Sequence, residues 1–497
     1  MSGFWNIDLE LDRILSDLPL FFRYSLNPNE HWVFTQTSFL LVLSFFLVGY
    51  AFFKSTSRWK LAYLIGFSLF FYYKSSGPFL ALFILVILCD FLFAKWIDRH
   101  EGIKRKVLML VSVSFSLSFL LYFKYTDFII ENLNAVFLTS FSKQNLFLPI
   151  GISFYTFQSL SYILDVYRKE LAPSKDLLSY GFYMSFFPHL VAGPIVRAKD
   201  FLPQITNPIP FTTILLRESI FRITVGLIKK LIIADYFGKY VNELEKMPEG
   251  HSGFEHFVGM YSQAFQIYFD FSAYSDIAIG IALVLGYRLK ENFNNPYFAS
   301  NITSFWRRWH ISLSLWLRDY IYIPLGGNRK GKFLMYVFLL TTMLIGGFWH
   351  GPYWTMILWG LGHGILLALH KMLSSKDAKT SLWSRGLGTL VTFHCVTFLW
   401  IFFNANDLDV ALLSFRKIFL EMNFNEFTFF WRARPEIILL SILAFFIVFI
   451  PMEIKQKVIN PILCLPLYLW PIILLVVLQA ILQLRDSTVV PFLYGGF

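Results

Sequence analysis

The chain has 497 residues, 56% of them hydrophobic, 20% aromatic and only 15% charged, where an ordinary soluble domain carries about a quarter charged residues. Together with a mean hydropathy of +0.56, this excludes a soluble globular domain, and the continuous, non-alternating apolar runs exclude a β-barrel. The net charge of +11 does not imply a nucleic-acid partner, because the Lys and Arg residues fall in short loops between apolar segments, as the positive-inside rule produces.

The expected architecture is an all-α polytopic membrane protein. The first 36 residues mix polar and aromatic types and lack a basic start followed by a short apolar core, so no cleavable signal is expected. The first strong span is "TSFLLVLSFFLVGYAFF" from Thr37. Further apolar segments lie near 61–73, 79–94, 107–123, 146–166, 176–187, 219–236, 258–287, 333–349, 352–370, 387–404, 436–450 and 466–484. About eleven true crossings are expected among them, with amphipathic and partial helices making up the rest. "PHLVAGPIVR" and "YFDFSAYSDIAIGIALVLGY" are interrupted by Pro, Gly and acids, and are expected to be broken or re-entrant helices lining a cavity. With no Ser/Gly/Pro-rich linker and no repeat, residues 1–497 read as one domain, with 485–497 as a tail. Cys89, Cys395 and Cys464 lie in or beside apolar stretches and read as small buried hydrophobes, with no disulfide framework or metal-ligand spacing.

Charge sets the orientation. Lys54, Arg58 and Lys60 in one loop and Lys95, Arg99, Lys104, Arg105 and Lys106 in another are separated by two spans. They share a face, which should be cytoplasmic. "GGNRKGK" (326–332), loop 371–386 and loop 451–465 read the same way. Both termini are then expected outside the cytoplasm, in a bacterial inner membrane.

Three constellations carry chemistry. The first is "GGFWHGPYWT" (346–355). The preceding apolar segment of 17 residues makes about 25 Å of helix, short for a hydrocarbon core of roughly 30 Å. The next segment follows with no charged loop, so the turn with His350 lies within the membrane profile. Its glycines let the chain turn and let another backbone approach, and Pro352 stops the helix. His350 reads either as a satisfied histidine at a helix end or as a functional one, since an intramembrane ionisable group usually has a task. The second is "SFWRRWHISLSLWLRDYIYIPLGGN" (304–328). His310, Ser314 and Arg318 recur at i, i+4 and i+8 and are expected on one helix face. Arg307, Arg308 and Arg318 suit an anion such as a phosphate, and an interfacial helix meeting lipid headgroups is the other reading. The third is "YFDFSAYSDIAIG" (268–280), where Asp270 and Asp276 lie in an apolar run. Hydrogen bonds from Tyr274 and Ser272 at four-residue spacing are expected to tie down a broken helix.

The ordered stretches "HLVAGPIVRAKDFLPQI", "YFDFSAYSDIAIGIALVLGY", "NFNNPYFASNITSFWRRWHISLSLWLRDYIYIPLGGNRKG" and "GGFWHGPYWTMILWG" resemble the membrane-bound O-acyltransferase family, in particular its bacterial branch of alginate O-acetylation and teichoic-acid D-alanylation membrane proteins. The resemblance implies membrane helices around a central funnel, and transfer of an acyl group, most simply acetyl, from a cytoplasmic thioester to a surface polysaccharide. It matches His350 to the family's presumed catalytic histidine and His310 to a second active-site histidine. Ser314, Arg318, Asp276 and Trp349 are expected to bind or orient substrate. The tail "PFLYGGF" resembles a terminal aromatic motif of some branch members, whose tyrosine is proposed to relay the acyl group. Here that residue is Tyr494, with Gly495 in place of an aromatic, and anchoring of the tail at the lipid interface is the competing reading. No bound cofactor or metal is implied, only an acyl-CoA or acyl-carrier thioester as donor. The implied partners are that donor, membrane lipid and an extracytoplasmic polysaccharide acetyltransferase. D-alanyl transfer to teichoic acid is the alternative. A proton-coupled transporter or flippase is more remote, because no inverted repeat is visible.

Overall fold

The computed structural model describes residues 34–53, 57–374, 381–484 and Phe492. Among them every regular element is helical, as a chain with few polar side chains to satisfy its backbone in lipid requires. Seven segments are long and apolar enough to cross a membrane, or eight if the bent pair Pro435–Phe449 and Met452–Leu463 is one span. That is fewer than the eleven crossings expected. The difference lies partly in short elements, such as segment 176–187, which is only the nine-residue helix Leu177–Ser185, and partly in 61–73 and 79–94 falling within one long segment, Arg58–Arg99.

The centre is the 32-residue helix Gly253–Val284. Ser252 and Glu255 start it with a reciprocal capping box, which satisfies two N–H groups that a helix start leaves open. Its most apolar stretch is 89% covered by protein, against 11% for Leu467–Leu484. Other helices therefore surround it, and the lipid does not. The expected break does not occur. Asp270 and Asp276 are held from a neighbouring helix instead: Lys230 Nζ lies 2.7 Å from Asp270 and Lys229 Nζ 2.6 Å from Asp276. Ser272 bonds to the Phe269 carbonyl and not to Asp276. Both lysines sit in a π-helical stretch, Lys229–Ala234. "PHLVAGPIVR" does lose regular structure after Leu190, and its backbone is buried in protein, as irregular backbone at membrane depth must be. The cysteines are half-buried or, for Cys464, exposed, so none is the buried core residue expected.

Helices Lys332–His350 and Trp354–Leu373 form a hairpin. They touch closely where Gly347 meets Gly360. A Cβ on Gly347 would run into the Met356 carbonyl oxygen and lie 3.0 Å from the Gly360 Cα. Backbone cannot yield there as a flexible side chain could. Gly347→Ala is therefore expected to lower stability by about 1–3 kcal/mol, read as a lower melting temperature in detergent. An unchanged melting temperature would show that the hairpin tolerates separation.

Candidate active site

His350 is the last residue of its helix. It is 1% exposed and boxed by the rings of Trp349, Trp359 and Phe403 at 4.9, 5.1 and 5.2 Å. The His310 ring centroid is 6.5 Å away. The two histidines, 40 residues apart in sequence, thus share one buried chamber.

His310 does not sit mid-helix. The helical spacing breaks over Arg307–His310, and His310 is the N-cap of the short helix Ile311–Leu317. Its φ is +40° and ψ +56°, a left-handed conformation uncommon for a side chain with a Cβ. What imposes it is a backbone pairing with the stretch after the central helix. Asn294 N–H donates to the Arg308 carbonyl at 2.9 Å, and Ile311 N–H to the Asn292 carbonyl at 2.9 Å. Asn292 is fully buried, and its side-chain oxygen is the hub. It accepts from Ser312 N–H at 3.2 Å and from the Ser312 hydroxyl at 2.8 Å, and lies 3.2 Å from His310 Nδ1. A backbone N–H can only donate, so this atom is the amide oxygen, and a neutral His310 must carry its proton on Nδ1. The imidazole lone pair is then on Nε2. Ser312 also accepts from Ile195 N–H at 3.0 Å, which joins "VAGPIVR" to the same hub. Asn292 escaped notice as a site residue in the sequence, although it lies inside a recognised motif.

The other expected residues are dispersed. Trp349 packs against His350 and stacks on Phe157 at 5.0 Å, which in turn stacks on Trp316 at 3.8 Å. Ser314 bonds to the Trp309 carbonyl at 3.2 Å, closing its own turn. Asp276 is engaged by Lys229 and, at 3.7 Å, by Arg222, so it ties one helix to another. Tyr494 lies outside the described residues. Phe492, two residues before it, is buried against Tyr274 at 5.1 Å, with Lys230 Nζ 4.8 Å above its ring.

Arg318 stands elsewhere with a purpose of its own. It lines a cavity of about 570 Å³ together with Ile195, Arg197, Arg288, Lys290, Ile311, Ser312 and Asp319. Ile311 and Ser312 directly follow His310, and the Ser312 hydroxyl lies 3.5 Å from His310 Nδ1, so the cavity reaches the residues that hold His310. At its edge Asp319 pairs with Arg318 at 2.6 Å and Arg197 at 2.7 Å. Burial works against ionising Asp319, but those two hydrogen-bonding arginines outweigh it and hold the carboxyl below its ordinary range. Arg168 Nη1 bonds to the Asp319 carbonyl, Lys169 pairs with Glu101, and Arg105 bonds to the carbonyls of Val166 and Tyr167. The cavity therefore lies on the same face as the basic loop 95–106.

The sequence profile of the membrane-bound O-acyltransferase family matches residues 66–406. The chain belongs to that family. This makes it an acyltransferase of the multi-pass membrane class, in keeping with its long apolar helices. It is 39% identical over 408 residues to the probable alginate O-acetylase of Azotobacter vinelandii, covering 80% of this chain and 79% of that protein. It is 36% identical to the peptidoglycan O-acetyltransferase of Helicobacter pylori, covering 81% of each. The teichoic acid D-alanyltransferase of Bacillus subtilis is more distant, at 29% over 52% of this chain and 69% of that one.

The hub makes a prediction. Asn292→Leu keeps the volume but leaves the Ser312 N–H and the His310 Nδ1–H unpaired, at roughly 1–3 kcal/mol each. Acyl transfer is expected to fall at least tenfold, with Asn292→Asp, which keeps the acceptor oxygen, recovering part of it. Equal activity of Asn292→Leu and wild type in membranes would remove Asn292 from the site.

Proposed function

We propose that this acyltransferase moves acetyl groups from a cytoplasmic thioester to a cell-surface or secreted polysaccharide. The observation that carries the reading is the cavity on the basic face whose inner wall, Ile311 and Ser312, adjoins the His310–His350 chamber. The similarity to proteins named alginate O-acetylase and peptidoglycan O-acetyltransferase, over about four-fifths of the chain, favours acetyl over D-alanyl transfer. By the positive-inside rule the basic face is cytoplasmic, where acyl-CoA and acyl-carrier thioesters are made. Arg197 and Arg318 at the cavity edge suit the phosphates that both donors carry.

In this reading the thioester carbonyl enters from the cavity and meets an acceptor hydroxyl between the two rings. His350 takes the hydroxyl proton as the oxygen attacks the carbonyl carbon, and the collapsing tetrahedral intermediate expels the thiolate, which His350 reprotonates. As a base His350 acts in its neutral imidazole form. With its proton on Nδ1 and engaged by Asn292, neutral His310 presents an acceptor at Nε2. It therefore does not donate to the oxyanion, and because the hydroxyl's single proton goes to His350, His310 shapes the chamber without accepting from that hydroxyl. No serine or cysteine acyl-enzyme is invoked.

The first acceptor in this scheme is Tyr494. Phe492 is seated in the protein core and not on the lipid face, which favours an inserted tail over interfacial anchoring. Its partner Tyr274 lies one turn along the central helix from Phe271, whose ring meets His310 at 4.7 Å. A phenolic ester formed there stays reactive enough to pass its acetyl group to an extracytoplasmic polysaccharide acetyltransferase.

His350→Ala should abolish polysaccharide acetylation, measured by mass spectrometry of surface glycans, while expression and melting temperature stay near wild type. His310→Ala should leave a residual rate. Persistence of acetylation in His350→Ala would remove the proposed base. Tyr494→Phe keeps the ring and deletes the nucleophile. Loss of glycan acetylation is expected, and a wild-type level would leave the tail as an anchor only.

A further inference from the structure

The helix that carries His350 ends where helices normally fray. Its last four carbonyls have no intrahelical partner. The usual remedies are closed to it. Pro352 has no N–H to offer the Phe348 carbonyl four residues earlier, and the residue after His350, Gly351, is extended at φ −164° and not in the left-handed form of a closing turn. The end is also buried, with Trp349 and His350 4% and 1% exposed, so water does not substitute.

The missing partners come from a distant segment. Lys124 Nζ donates to the Trp349 carbonyl at 2.6 Å, to the His350 carbonyl at 3.1 Å and to the Ser153 hydroxyl at 3.2 Å. Tyr125 donates its hydroxyl to the Phe348 carbonyl at 2.8 Å, the bond that Pro352 cannot make. In an α-helix two successive residues point about 100° apart. Lys124 and Tyr125 lie in a π-helical turn, Leu121–Tyr125, a departure common at functional sites. Lys124 is 7% exposed, and among the described residues no carboxylate pairs with it. Its positive charge faces the negative end of the helix dipole. All three ammonium hydrogens are used, so none remains for a substrate or an oxyanion.

We propose that Lys124, assisted by Tyr125, is a positioning residue that clamps the end of the helix and so fixes the His350 imidazole against the reacting carbonyl. A buried ammonium is costly in a membrane domain, and a clamp at a reacting side chain gives that cost a return, since small misplacements of a catalytic group slow chemistry strongly. The inference rests on His350 being the base.

The test uses the full chain in membranes or nanodiscs. Lys124→Met removes the ammonium and keeps an unbranched chain. Backbone amide exchange at residues 348–354 is expected to quicken at least tenfold while that of 335–345 is unchanged. With acetyl-CoA as the probe donor, kcat is expected to fall at least tenfold with KM within twofold. Lys124→Gln, which restores neutral N–H donors, should recover part of kcat, and Tyr125→Phe should show a smaller loss than Lys124→Met. Unchanged exchange and kcat in Lys124→Met would overturn the inference. So would a joint change of KM, melting temperature and exchange along the whole helix, because that describes general structural support. His350→Ala is measured in parallel: activity surviving in it refutes the proposed base, whereas an inactive His350→Ala beside a fully active Lys124→Met refutes the clamp alone.

Discussion

One amide oxygen organises the site. Asn292 Oδ1 gathers the Ser312 backbone N–H, the Ser312 hydroxyl and His310 Nδ1, and the Asn292 backbone carbonyl holds Ile311. Without these bonds the stretch Arg307–His310 has no reason to leave helical geometry or to hold His310 at positive φ. Strain of this kind costs of order 1–3 kcal/mol and persists only where the surroundings over-determine it. The result is an imidazole whose tautomer and direction are both set before any substrate arrives. The same hub reaches Ile195 through Ser312, and Asn292 Nδ2 donates to the Ser275 hydroxyl at 3.4 Å, so Asn292 and its partner Ser312 join three of the four motifs that distinguish the chain.

The surrounding helices solve a second problem, which is to keep polar groups inside a membrane domain. They do so by pairing across elements. Lys230 lies between Asp270 and Asp235, and Lys229 meets Asp276. Such buried pairs add little net stability, but removing one partner strands the other at about 3–5 kcal/mol. Their contribution is to fix the register of the central helix against its neighbour. That register also sets the height of Phe271 and Tyr274, the rings that meet His310 and Phe492.

Much of this was legible in the sequence, and the misses share a cause. Hydropathy and the Gly-Pro punctuation around His350 gave the helix ends and the tight turn between them, because those signals are local. The glycines also foretold a close backbone approach, seen at Gly347 and Gly360. Periodicity placed His310, Ser314 and Arg318 on one helix face. It failed because the chain leaves helical geometry at His310 itself, a break imposed by residues 292–294 that no local pattern can report. The same holds for the central helix. Its acids and glycines imitate a broken span, and only the lysines of another helix make a continuous one affordable. Lys124 follows the apolar run 107–123 and reads as a loop residue, since nothing nearby shows that the far helix needs its charge. Contacts between distant segments account for what the sequence concealed, and most of the functional geometry consists of such contacts.

The central claim is that the donor enters from the basic face through the cavity bounded by Arg197 and Arg318 and reacts between His310 and His350. The most direct measurement is an experimental structure of the full chain with a non-transferable thioether analogue of acetyl-CoA. The account predicts phosphates at the arginine-lined edge and the acyl-bearing end between the two imidazoles. An analogue bound from the opposite face, or one whose acyl end stops outside the histidine chamber, would contradict it.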